Sequence, residues 1–152
     1  MSKIILPELE IKVSLKNKSY TKFKISGSKD VFEFAKQIFN ADTILWQEEF
    51  ILVCLNRANF ITAVHRVSSG GVSGVIVDPK VIFSIALQSC ASHIIVLHNH
   101  PSGNMQPSTE DEKVTAKLKH GGELLEIKLL DHIIMSGEMD TYYSFADQGN
   151  VI

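Results

Sequence analysis

The stretch HNHPSGNMQPSTED, residues 98–111, joins the end of an apolar run, Ile94-Ile95-Val96-Leu97, to the start of a polar segment, Glu112-Lys113-Val114-Thr115. It reads as a buried strand, a loop and the first turn of a helix. His98 and His100 stand two apart, and side chains two apart on a strand point to one face. Two imidazoles at that spacing can converge on one ion without bending the backbone. The loop Pro101–Pro107 holds two prolines and a glycine. Gly103 can take a positive φ as the chain reverses toward the helix, and Ser102 serves either that turn or a substrate. Ser108-Thr109-Glu110-Asp111 has the pattern of a capping box, with Ser108 as N-cap and Asp111 at N3. If Asp111 turns instead toward the strand end, its carboxylate becomes a third ligand beside the two histidines. Two imidazoles and a carboxylate leave a fourth tetrahedral position open, as in a catalytic zinc site. Chance would produce H-x-H-x7-S-x2-D about once in a thousand chains of this composition.

The surroundings alternate between sheet and helix. Upstream, Glu48-Glu49 opens the apolar run FILVCLN, and Arg57-Ala58-Asn59 turns it into FITAVHRV, which predicts a hairpin. Between hairpin and motif, Asp78-Pro79 places a cap residue and an N1 proline before VIFSIALQS, a helix. Downstream, the helix TEDEKVTAKLKH is expected to stop at Gly121-Gly122, and LLEIKLLDHIIMS to supply one or two last strands. Nearer the start, Ser28 is expected to cap a helix, VFEFAKQIFN. Before it, Leu9, Ile11, Val13 and Leu15 alternate with polar residues, and the break at Asn17-Lys18-Ser19 leads into YTKFKIS, an N-terminal hairpin over residues 9–25. The order predicts an α/β domain of the α+β type, a mixed sheet flanked by helices. Residues 1–27 form the hairpin extension of this division and 28–152 the main domain.

The chain has 152 residues, 45% of them apolar, with 15 Lys and Arg against 17 Asp and Glu for a formal charge of −2. That length suits one globular domain, and the balance gives no sign of the basic footprint that phosphate-backbone binding demands, so no nucleic-acid partner is expected. No apolar run is long enough to span a bilayer and the start MSKIILPELE lacks a signal-peptide pattern, so the expected compartment is the cytoplasm. Cys54 and Cys90 lie in apolar stretches without CxxC spacing and are expected to be buried free thiols. His65, His93, His120 and His132 have no partner at ligand spacing and read as structural or solvated. Asp131-His132 alone is a candidate for supporting a ligand from behind.

HNHPSGNMQPSTED resembles the JAMM (MPN, JAB) metalloprotease signature, and VLHNHPSG, LLDHII and YYSFADQG look like its bacterial RadC-like branch, over residues 28–149. The resemblance implies a cytidine deaminase-like JAMM/MPN architecture with one zinc ion per chain, held by His98, His100 and Asp111. It also implies that the Ser108 hydroxyl helps to hold the oxyanion of the transition state. That family uses an upstream glutamate to move the proton of the attacking water, and Glu48 matches its pattern; Glu49 stays open as the alternative, because both faces of FILVCLN are apolar. The implied reaction is hydrolysis of a peptide or isopeptide bond, with a peptide or protein as the partner. Two rival readings are a metal-free MPN-type binding scaffold and an HNH-like nuclease associated with DNA repair. Against the nuclease, Glu110, Asp111 and Glu112 make the loop acidic. RadC-like proteins often carry a helix-hairpin-helix segment before this domain, and its absence here also counts against a role on DNA.

Overall fold

In the computed structural model, which describes residues 13–16, 18, 24–70 and 76–149, the elements run α1 (Ser28–Ile38), β1 (Glu48–Leu55), β2 (Ile61–Gly70), α2 (Pro79–Gln88), β3 (His93–His100), α3 (Thr109–Leu125), β4 (Lys128–Ser136) and β5 (Tyr142–Ser144). The five strands form one mixed sheet in the order β2-β1-β3-β4-β5. Only β3 and β4 pair in parallel. A parallel pair needs a crossover, and α3 supplies it, which brings its first turn back to the C-terminal end of β3.

Helices cover both faces, so the strands are apolar on both sides. Ile51, Val53, Leu55, Ile95 and Leu97 pack with α1 on one face. On the other, Phe50, Leu52, Cys54, Ile94 and Val96 pack with α2 and α3. By alternation, His98 and His100 continue the row of Ile94 and Val96 on the α2/α3 face. Among the described residues no helix is long and apolar enough to cross a membrane.

The predicted hairpin β1/β2 forms, with Asn56 Oδ1 accepting from the backbone N–H groups of Ala58 and Phe60 in its turn. Asp78 caps α2 as expected, accepting from Lys80 N at 2.9 Å with Pro79 at N1. Other expectations are corrected. Ser28 lies inside α1, whose N-cap is Gly27, and its hydroxyl instead reaches Asp147 Oδ2 at 2.5 Å. Gly121-Gly122 does not stop α3, which continues to Leu125 and ends at Glu126 with φ 55°. The two glycines serve packing: a β-carbon at Gly121 would lie 2.7 Å from the Phe83 ring of α2, and one at Gly122 would meet the backbone carbonyl of Ile127. Leu124 and Leu125 therefore belong to the helix, and the last strand comes from Tyr142–Ser144. Cys54 is buried, and burial pushes its thiol up, but Cys90 is exposed. The predicted N-terminal hairpin falls largely outside the described residues. At its end Lys24 forms an antiparallel bridge to Phe60, and Ile25 joins the core beneath α1.

Candidate metal centre

His98 and His100 end β3 with their Nε2 atoms 2.9 Å apart. The first turn of α3 brings the Asp111 carboxylate against both, with Oδ1 3.2 Å from His98 Nε2 and Oδ2 3.5 Å from His100 Nε2. Asp111 closes the capping box and faces the imidazoles at once. Its Oδ2 accepts from Ser108 N and Oγ, each at 2.7 Å, while Ser108 Oγ accepts from Asp111 N at 3.1 Å, which is the full capping box. The cap thus holds the carboxylate in place facing the imidazoles. Burial alone would raise the Asp111 carboxyl, but hydrogen bonds from His100, His98 and Ser108 outweigh it and hold the group below the ordinary carboxylate range.

Strand pairing separates the two glutamates. Phe50 pairs with His98, so even-numbered side chains of β1 share the histidine face and odd-numbered ones turn toward α1. Glu48 accordingly joins His98 and His100 in a group whose ligand atoms all lie within 4.8 Å of one another. Glu49 is held on the other side by Arg66, Nη1 to Oε2 at 2.8 Å, and Arg66 also donates to the carbonyl of Ile38.

His100 Nδ1 lies 2.6 Å from the carbonyl of Asn104, which can only accept. Nδ1 therefore carries the proton of that bond, and Nε2 is the atom left for the centre. Burial lowers the His100 pKa, but Asp111 and the Asn104 carbonyl outweigh it and raise the group. Two imidazoles grouped with the Glu48 carboxylate, and with the Asp111 carboxylate against both rings, offer nitrogen and oxygen donors that suit a divalent cation such as zinc. The centre lies in a cleft of about 940 Å³. Its lining includes Trp46, Ile76 and Val77 and, from α3, Val114 and Lys117.

The RadC-like JAB domain family profile matches residues 25–150. The chain belongs to that family. In the RadC-like JAB domains, relatives of similar sequence include the UPF0758 protein of Flavobacterium johnsoniae, 40% identical over 126 residues, which are 83% of this chain and 53% of that protein. The UPF0758 protein of Methanosarcina barkeri is 40% identical over 130 residues, 86% of this chain and 55% of its own length. A third, from Chlorobium luteolum, is 33% identical over 143 residues, 94% and 62% of the two chains. The chain thus spans about half the length of the first two relatives.

Within this RadC-like JAB domain, Asn99 and Thr115 carry roles with no counterpart among the sequence expectations, while His132 stands behind His98 as the Asp131-His132 pair suggested. Asn99, buried on the α1 face, accepts from Glu49 N at 2.8 Å and donates to the carbonyls of Ile44 and Gln47, each at 2.9 Å. It ties the loop before Glu48 to the strand that carries the histidines. His132 contacts His98 directly, Nε2 to Nδ1 at 2.8 Å, and Thr115 contacts His132 in turn. Burial holds His132 well below the ordinary histidine range, and neighbouring His98 adds to that. Asp131, paired with His132 in the sequence reading, does not reach its ring. Its carboxylate accepts from Ser144 Oγ and Ala146 N, which joins β4 to the segment around β5. His65 and His120 are exposed, and His93 bonds Asn59 Oδ1 at 2.8 Å, all away from the centre.

Proposed function

We propose that the chain is a zinc-dependent metallohydrolase, with one zinc per chain, acting on peptide or isopeptide bonds. The observation that carries this reading is the His98–His100 pair lining the cleft with Glu48 grouped beside it and Asp111 against both rings. His98, His100 and Asp111 would hold the ion. Zinc supplies, when bound, a Lewis acid that makes water acidic near pH 7 and polarises a carbonyl. Glu48 takes the proton of the attacking water and passes it to the leaving amine as the C–N bond breaks. Ser108 lines the same cleft, where its hydroxyl can turn from Asp111 to the developing oxyanion. The cleft's lining of apolar and charged side chains suits an extended peptide with side chains of both kinds. The HNH-like alternative has no support in this geometry, since Asn99 is committed to backbone groups on the far face of the sheet.

The test is incubation of the zinc-loaded chain with a degenerate peptide library and with isopeptide-linked conjugates, products being read by mass spectrometry. Amide cleavage with uptake of one water is expected, abolished by chelator and restored by zinc. Failure to cut either substrate class would leave the binding-scaffold reading in its place. For Ser108→Ala, loss of the cap is expected to cost about 1 kcal/mol in thermal unfolding. Turnover per bound zinc is expected to fall about 100-fold. Unchanged turnover with only the stability loss would confine Ser108 to the helix end.

A further inference from the structure

Behind His98 a line of three hydrogen bonds leaves the cleft and ends in α3. His98 Nδ1 lies 2.8 Å from His132 Nε2, His132 Nδ1 lies 2.6 Å from Thr115 Oγ1, and Thr115 Oγ1 lies 2.6 Å from the backbone carbonyl of Asp111. The last partner sets the direction of the other two. A carbonyl oxygen only accepts, so the Thr115 hydroxyl donates to it, as a helical threonine can to the residue four back. Thr115 has no second proton to give, so its oxygen accepts from His132 Nδ1–H. The His132 ring is fully buried, stacked on Phe145 at 4.8 Å and edge-on to Phe50 at 5.7 Å. Among the described residues, none of its side-chain hydrogen bonds goes to a carboxylate. A ring so enclosed carries a single N–H, which leaves Nε2 as an acceptor. His98 Nδ1 is then the donor, and its Nε2 is the nitrogen that faces the centre, 3.2 Å from Asp111 Oδ1.

We infer that His132 and Thr115 are positioning residues that impose this tautomer on His98. A His98 free to carry its proton on Nε2 would aim an N–H, and not a lone pair, at the position where a cation would sit. The line ends on the backbone of Asp111 itself, so one turn of α3 sets both the tautomer of His98 and the placement of the carboxylate opposite it. The part of this inference that concerns zinc rests on the proposed metal site; the part that concerns the proton on His98 stands without it.

The test uses the full chain as wild type, Thr115→Val and Thr115→Ser. Nitrogen-15 correlation spectra of the metal-free wild type are expected to show His98 protonated at Nδ1. Thr115→Val removes the acceptor of His132 Nδ1–H with little change in volume, and His98 is expected to move toward the Nε2–H form. Zinc affinity, measured by competition with a chelator, is expected to weaken about 10- to 100-fold. Thr115→Ser is expected to restore both the spectrum and the affinity. A wild-type His98 bare at Nδ1 would overturn the inference, as would a folded Thr115→Val with wild-type spectrum and wild-type affinity. If Thr115→Val does not fold, the wild-type spectrum still decides. If the wild type itself takes up no zinc, the metal-site reading fails, and the spectrum judges the tautomer separately.

Discussion

Glu48→Gln is expected to keep its zinc and to lose about 100- to 10,000-fold in turnover, the usual contribution of a positioned general base. Glutamine nearly matches glutamate in shape but cannot accept the proton. Glu48 faces the two histidines from β1, and among the described residues no hydrogen bond within the site depends on its charge as Asp111's do. Glu49→Gln gives the contrasting result: turnover within a few-fold of wild type and a modest loss of stability. Its carboxylate lies on the opposite face of the sheet in an ion pair with Arg66, 12% exposed on the Glu49 side. Partly exposed pairs of that kind contribute about 1 kcal/mol or less. Steady-state hydrolysis at equal zinc content separates the two. An active Glu48→Gln beside a dead Glu49→Gln would refute the assignment of the base.

Asp111→Ala and His98→Ala are expected to lose bound zinc altogether at micromolar total metal. Each removes one of three side chains proposed to hold the ion. Asp111→Ala carries a second, separable effect, because the carboxylate also receives Ser108 N and Oγ in the capping box. Its thermal stability is therefore expected to fall by about 1 kcal/mol even in metal-free protein. His98→Ala leaves His132 Nε2 without its partner in a fully buried position, a larger cost of about 1–3 kcal/mol. Calorimetric zinc titration and thermal unfolding of the metal-free variants check the two parts independently. Retention of zinc by either variant would remove that residue from the ligand set.

The histidine pair and the cap were legible because each depends on local periodicity. Strand alternation alone places His98 and His100 on one face, and Ser108 and Asp111 sit three apart at a helix start. The choice between Glu48 and Glu49 was not legible from β1 alone, since helices cover both sheet faces and leave no polar side in the strand. It becomes decidable only through the pairing of Phe50 with His98. Gly121-Gly122 carries a local signal for a helix end, yet close contact with Phe83 and Ile127 demands small residues in mid-helix, and packing overrides the signal. Ser28 shows the same limit, its hydroxyl being drawn to Asp147 across 119 positions of sequence. Thr115 was hidden for a related reason: it meets His132 across 17 residues, and His132, marked only as part of the Asp131-His132 pair, meets His98 across 34, with no motif linking the three. Asn99 lay in plain view between the histidines, but its three backbone partners appear only when the loop before Glu48 folds against β3.

Elemental analysis of the chain purified from zinc-supplemented cells, repeated after addition of excess zinc and removal of the unbound metal, tests the proposed centre most directly. One zinc per chain is predicted in the wild type, falling to a background level in Asp111→Ala. Well under one zinc per wild-type chain in both preparations would contradict it.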